Sequence, residues 1–547
     1  MTEVARSLFA AMTKRLASTF LTFLGLLALM VHTAVAQRPP KVLDVRSFGA
    51  KGDSALLDTD AINRAIEAAA AAGGGTVYFG PGIYSSFSIH LRSNVSLYLE
   101  RGATLLAASP GDRPAGGYDA AEPGPNVFQD YGHSHWHNSL LWGENVHDIS
   151  ILGGGRIDGN GLDRNIVRDS PRMGNKAIAL RNARNVVLRD FTIYRGGHFG
   201  VLATGVDNLT VDNLVIDTNR DGIDVDACRN VRIANTSVNS PADDAIVLKA
   251  SYALNEARAT EDVVITNSIV TGFDVGSVLD GTYRPFTEGS ANGDGPTGRV
   301  KIGTESNGAF RNITISNIVF DNSRGLALET VDGAQLEDIT ISNITMRHVS
   351  TSPIFMRLGA RMRGPAGAPV GSFKRVTVSN VVAWDVDPRY AASITGIPGH
   401  DIEDVRLSNI RLYYRGGLTP EHFATQPADM VNSRVPRDSV PRAPYAVPER
   451  ETVYPEPSAL GILPAYGFYL RHVNGIVMDG VEVSFQQEDR RPAFVLDDVR
   501  DAEFRGMRAQ KAQGVPTFVL INVDGFRTRN SAPVADMTLG KVVRREY

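Results

Sequence analysis

Between residues 219 and 249 the chain reads NRDGIDVDACRNVRIANTSVNSPADDAIVLK, gathering Asp221, Asp224 and Asp226 at one point and Asp243 with Asp244 at another. Around them Ile223, Val225, Val231, Ile233, Ile246 and Val247 have the character of core strand. Carboxylates brought together in a partly desolvated groove repel, and repulsion raises the pKa of at least one. A protonated acid beside ionised partners is what acid and base work on a glycosidic bond requires. The same oxygens could instead form a solvated acidic ridge or a calcium site. The two acidic points make one site only if the fold brings them together.

A repeat along the chain supplies the positioning. Nine-residue copies alternate apolar residues around an Asn or Asp: NVVLRDFTI from Asn185, NLTVDNLVI from Asn208, NVRIANTSV from Asn230, DVVITNSIV from Asp262, NITISNIVF from Asn312, DITISNITM from Asp338, RVTVSNVVA from Arg375 and DVRLSNIRL from Asp404. Their Val, Ile and Thr content and period of two are strand chemistry, and a unit near 22 residues is too short for an ankyrin or propeller repeat. The spacing predicts an all-β solenoid, a single-stranded parallel β-helix, whose coils stack at about 4.8 Å with equivalent residues above one another. Asn213, Asn235, Asn267, Asn317, Asn343, Asn380 and Asn409 then form an internal ladder at a turn.

Unit length explains the acidic spacing. Asp221 lies 13 residues after Asn208 and Asp243 lies 13 after Asn230, which assigns them one place on adjacent coils, with Asp244 one residue further on. His198, 13 after Asn185, adds an imidazole to that column.

The rest of the chain bounds the answer. The 547 residues are 43% hydrophobic and 21% charged, with a net charge of -4 and no long basic run, so a nucleic-acid partner has no electrostatic footprint. Residues 1–36 carry Arg6, Lys14 and Arg15, an apolar stretch, then Ala34-Val35-Ala36, the layout of a secretory signal, against which an uncleaved anchor is the alternative. The mature chain is then exported, periplasmic or extracellular, with no membrane association after cleavage. Cys228, the sole cysteine, excludes an intrachain disulfide and reads as a small buried hydrophobe. DTDAINRAIEAAAAAGGG predicts a short amphipathic N-terminal helix capped by Asp58 or Thr59, covering the open end of the solenoid. Residues near 414–466, rich in Pro and poor in the repeat, read as a surface loop inserted into a single domain spanning 37–547.

The sequence resembles the polygalacturonase-like glycoside hydrolases of family 28, right-handed parallel β-helices acting on pectin. The likeness runs from VRSFGAKGDSALLDTDAINRAIEAAAAAGGGTVYFGPGIY through GGGRIDGNG to NRDGID and ADDAI, which resemble the family's N-T-D-G-x-D and D-D, and to GRVKIGTESNGAFRNITI, similar to the segment holding its R-I-K. The resemblance implies an inverting hydrolase without cofactor or metal, a monomer acting on a pectic polysaccharide or oligosaccharide substrate. It makes Asp243 the general acid, and Asp221 with Asp244 the holders of the attacking water, with acid and base about 6.5 to 9.5 Å apart. Arg299 and Lys301 would bind a sugar carboxylate, and Asn219, Asp224 and His198 complete the expected substrate-binding set.

Three departures stand out. TGFDVGS occupies the place of the family's G-H-G, leaving Thr271 or a neighbour, or His198 from another coil, in place of its histidine. Arg220 stands where the family has Thr, beside Asp221. No strand copy occurs between Asp262 and Asn312, as though a coil were missing below Arg299 and Lys301. These favour a rhamnogalacturonan hydrolase or exo-acting galacturonosidase over an endo-acting enzyme. A calcium-dependent pectate-type lyase and a non-catalytic carbohydrate-binding β-helix are the alternatives. Elsewhere, YGHSHWHN presents His133, His135 and His137 either to a metal or as a groove loop with Trp136 as a sugar platform, and FMRLGARMRG offers Arg357, Arg361 and Arg363 to an acidic polymer or as a solvated turn.

Overall fold

A computed structural model describes residues 41–547 apart from 112–115, 124–127, 130, 166–172, 288–293, 433–434 and 436–439. The signal-like residues 1–36 lie outside the described residues. Val, Ile and Thr at period two form strands that pair in parallel, coil upon coil, into one wound sheet of 34 strands among the described residues. The parallel β-helix expected from the repeat is the fold observed.

One coil shows how the sequence makes it. Strands Phe199–Thr204, Asp207–Asp212 and Val215–Asp217 lie on three faces, and Asp221–Asp226, Arg229–Ala234 and Ser237–Asn239 lie directly above them. In later coils the second and third faces merge into one long bent strand, such as Gln335–Val349, where buried and exposed residues alternate. Its buried Ile339, Ile341 and Ile344 stack on Ile313, Ile315 and Ile318. Each such fully buried side chain contributes roughly 1.5–3 kcal/mol.

The first face behaves differently. Strands Asp221–Asp226, Ile246–Ala250, Val300–Ser306 and Leu326–Thr330 are buried at every residue, on the outer side as well as the inner. Something must cover that outer side, and part of the cover is the Pro-rich segment, which carries a helix Pro420–Thr425 and a short turn of helix Pro457–Leu460. Arg299 donates to Glu456 at 3.0 and 2.7 Å, and Arg471 donates to the Val447 carbonyl. The segment is thus folded onto the cylinder rather than merely looped out from it.

Register corrects two expectations. The sheet pairs Phe199 with Asp221 and Ile223 with Ile246. His198 therefore falls one place before Asp221, and Asp244, not Asp243, sits over Asp221. Turns between faces differ in length from coil to coil, so counting from the Asn ladder slips by one on the neighbouring face. Strand Thr260–Thr271 pairs directly with Phe310–Ser323, and Val300–Ser306 pairs directly with Ile246–Ala250, so no further coil stands between them.

The Asn ladder exists but is external. Asn317 donates to Asn267 at 3.1 Å, Asn343 to Asn317 at 3.0 Å, Asn380 to Asn343 at 3.0 Å and Asn409 to Asn380 at 2.8 Å, all on the exposed outside of the turn. These residues hold positive φ, between 51° and 58°, which Asn tolerates better than most L residues. A second ladder joins the first residues of the copies: Asn208 donates to Asn185, and Asn230 to Asn208, each at 2.7 Å.

Both ends are closed. Helix Thr59–Ala71 buries Ala61, Ile62, Ala65, Ile66 and Ala69, as its periodicity predicts. Asp58 holds the N-cap position, but its side chain accepts from the Lys51 and Gly52 N–H groups instead of the helix, and Thr59 accepts from the Phe87 N–H. At the other end strand Met537–Glu546 pairs antiparallel with Phe518–Arg529, which blocks continuation of the parallel stack. No described helix is long and apolar enough to cross a membrane.

Candidate active site

The first face brings the acids together. Asp221, Asp243 and Asp244 each offer an oxygen within 4.8 Å of the others'. Asp221 opens its strand, and Gly222 beside it permits the approach: a Cβ there would stand 2.5 Å from the Ala245 carbonyl oxygen and 2.4 Å from Val238 Cγ1. The Asp244 N–H donates to Asp221 Oδ1 at 3.2 Å and to Asp243 Oδ1 at 3.1 Å. Asp221 and Asp243 share the anchored amide of Asp244, and the closest oxygens of the three carboxyls are nearer than the separation expected from the family.

Cations then separate the acids into distinct states. Burial pushes Asp221 well above the ordinary carboxylate range, and the charges of Asp243, Asp224 and Asp244 push the same way against Lys249. Asp244 is equally buried, but Arg299 and Lys301 overcome that burial and hold it at about 2. Arg299 Nε donates to Asp244 Oδ1, while Lys301 Nζ lies 3.4 Å from Oδ2. One acid keeps its proton and its neighbour keeps its charge, the division that acid–base catalysis uses.

Arg299 and Lys301 do reach the site, from the coil directly above Asp243 and Asp244, but each is fully committed. Arg299 is clasped between Asp244 and Glu456, and Lys301 between Asp244, Glu329 at 3.6 Å and the Tyr454 hydroxyl at 3.2 Å. Both are 2% exposed. Their geometry fits bracing Asp244 better than meeting a sugar. Burial pushes Glu329 up to about 7, against Lys301 and Arg299.

Asp224 is buried beneath the cluster, not open to substrate: Lys249 donates to it at 2.9 Å and His133 Nε2 lies 3.3 Å away. Lys249 also lies 3.6 Å from Glu305. His198 is buried, donates from Nδ1 to the Arg164 carbonyl at 3.3 Å and packs edge-on against Phe199. Burial, then the charge of Arg220, holds it well below the usual imidazole range, so it is neutral. Asn219 contributes its carbonyl to the Ala242 N–H at 3.0 Å. Thr271 donates to Asn239 at 2.8 Å, which in turn donates to Asp217, a buried polar network.

Arg220 pairs with Asp243. Sequence position had set it beside Asp221, and only the turn geometry shows its true partner. Glu456 and Tyr454 were not legible at all, since they return to the site from more than 150 residues along the chain. The histidine loop also corrects its expectations. Trp136 is buried, donates to Thr204 at 3.1 Å and lies under the Arg181 guanidinium, so it is no sugar platform. His133 joins Lys249, whereas His137 stacks on Trp142 and meets Glu144, so the three imidazoles do not converge on a metal. Arg357 is buried against the Glu449 and Arg450 carbonyls, and Arg361 pairs with Asp332; neither is a solvated turn residue. Cys228 is buried, its thiol pushed up to about 12 by desolvation, as a structural cysteine should be.

The family model described as right handed beta helix region matches residues 134–290, and that described as rhamnogalacturonase A/epimerase, pectate lyase-like matches 42–103. The chain is 23% identical over 438 residues to an exo-poly-alpha-D-galacturonosidase of Dickeya chrysanthemi, covering 71% of this chain and 69% of that protein. The chain is a right-handed β-helix similar to the polygalacturonases. In fold it is similar to the family 28 exopolygalacturonase of Yersinia enterocolitica, with a TM-score of 0.57 and 18% identity over 90% of this chain and 78% of the other. A shorter stretch of 181 residues, 31% of this chain, is 33% identical to plasmin and fibronectin-binding protein A of Streptococcus pneumoniae, covering 23% of that protein.

Proposed function

We propose that the chain is an exported glycosidase that hydrolyses α-linked galacturonate bonds in pectic polysaccharide, residues 37–547 acting as one catalytic β-helix. The observation that carries this reading is the triad of carboxyls on two adjacent coils, two of them buried and one of these, Asp244, clasped by two buried cations. A solvated ridge would not bury two of its three acids, and buried like charges are costly unless they serve a purpose.

The roles follow from accessibility. Asp243 has the most exposed carboxyl of the three, 22% against 5% for Asp244, so it meets the leaving oxygen and protonates it. Asp221 holds the resting proton of the cluster. Asp244, with both oxygens facing cations, is a poor nucleophile; it suits orienting a water and stabilising positive charge at an oxocarbenium-like anomeric carbon. Water attack from the opposite side inverts the configuration. Interleaved Lys249, Arg299 and Lys301 disfavour a calcium-dependent lyase, because a divalent cation entering the same oxygens would face three positive charges.

Binding without turnover is the second reading, favoured by the pairing of Asp243 with Arg220 and the stretch similar to a plasmin and fibronectin-binding protein. Product analysis on a panel of pectic oligosaccharides with wild type and Asp243→Asn decides between them. Hydrolysis yields new reducing ends with wild type and about a thousandfold fewer with the variant. Retention of oligosaccharide with no new reducing ends by wild type refutes the glycosidase reading, and an ultraviolet-absorbing product abolished by chelator replaces it with a lyase.

A further inference from the structure

An enzyme that acts on an acidic sugar must read the sugar's carboxylate, and the cations around the triad are not equally able to do so. Lys249, Arg299 and Lys301 have side chains 5%, 2% and 2% exposed, each held by two or more acids of the protein. Arg220 is 13% exposed and pairs with Asp243, at 22% the most open carboxyl of the cluster. The main chain on both sides of this pair is fixed, for Ser240 Oγ lies 2.5 Å from the Arg220 carbonyl oxygen and 3.1 Å from that of Asp243.

Resting on the glycosidase reading above, we propose that Arg220 is the specificity residue for the acidic sugar, and that it exchanges Asp243 for the substrate's own carboxylate. A guanidinium presents the same forked donors to either anion, so the exchange trades one ion pair for another of similar strength. Its consequence falls on the cluster. Asp243 leaves a cation while the site gains an anion, so the three carboxyls together take up one proton from solvent. That proton is the one then passed to the leaving glycosidic oxygen, while water supplies the hydroxyl to the anomeric carbon and gives its remaining proton to the ionised Asp244, which restores the proton count of the cluster. A neutral or methyl-esterified sugar has no anion with which to displace Asp243, and leaves the acid locked to Arg220.

The test compares wild type, Arg220→Gln and Arg220→Lys on trigalacturonate and its methyl ester, by kcat/KM and by calorimetry in two buffers of different ionisation enthalpy. Wild type should prefer the acid over the ester by about a hundredfold and bind the acid with proton uptake, while Arg220→Gln should lose most of that preference and the linked proton. Arg220→Lys, which keeps a charge but loses the fork, should lose about tenfold of the preference, and serves alone if the Gln variant does not fold. An unchanged acid-to-ester ratio in the folded variants, with wild type still cleaving, overturns the role of Arg220 and leaves the glycosidase reading intact. If wild type cleaves neither compound, the glycosidase reading itself fails.

Discussion

Two columns of polar residues climb this cylinder, and stacking does opposite things in them. On the outer turn Asn317, Asn343, Asn380 and Asn409 repeat coil after coil, and each amide donates to the one below at 2.8 to 3.1 Å. An amide carries both a donor and an acceptor, so a stack of identical residues satisfies itself. On the first face Asp221 and Asp244 stack in the same way with Asp243 beside them, yet carboxylates only accept. That stack can stand only with a proton on one member and cations on another, which is what Asp221, Arg299 and Lys301 supply. Like residues in register build structure when they are neutral and reactivity when they are charged.

Exchanging the residues of each column breaks the contrast most strongly. Asp243→Asn should lower kcat on a cleaved oligosaccharide by about a thousandfold while the melting temperature barely moves, because this carboxyl is partly exposed and its partner can turn to solvent. Next, Lys301→Met should cost about 3 kcal/mol in denaturant unfolding, since it strands Asp244 and Glu329 without a shared counter-charge.

The charged column should also show in the pH dependence of stability. Glu329 is raised from 4.5 to about 7 in the folded protein, so its contribution is fully present below 4.5 and lost as pH climbs through 7. Glu329→Gln mimics the protonated form and removes that loss. Relative to wild type, its stability should therefore rise across this window, at up to about 1.4 kcal/mol per pH unit, and run parallel outside it. The smallest effect belongs to the neutral column. Asn343→Gly keeps the positive φ of 58° without strain and deletes the ladder amide, so it should cost about 1 kcal/mol and leave kcat unchanged.

Much of this was legible along the chain, and the limits have a physical pattern. Strand alternation and repeat length are local, so the β-helix, its capping helix and the meeting of Asp221 with Asp243 and Asp244 could be read. The exact stacking could not, because a turn one residue longer shifts register on the next face, which is how Asp244 rather than Asp243 comes to lie over Asp221. The placing of Arg220 on Asp243 depends on that same turn. Contacts made by the Pro-rich segment have no period at all: Glu456 and Tyr454 come to Arg299 and Lys301 through a chain return that no spacing announces. Trp136 misled for a related reason, since its loop is roofed over rather than open.

The central claim is that acids on neighbouring coils share one cleft and direct water across a glycosidic bond. Proton NMR of the first turnovers of trigalacturonate, read before mutarotation, tests it most directly. Inversion predicts that the new reducing end appears first as the β anomer with wild type and is absent with Asp243→Asn. First appearance of the α anomer would mean a covalent intermediate on one of these carboxyls, whose oxygens lie within 4.8 Å, and would contradict the assignment of Asp244 to water.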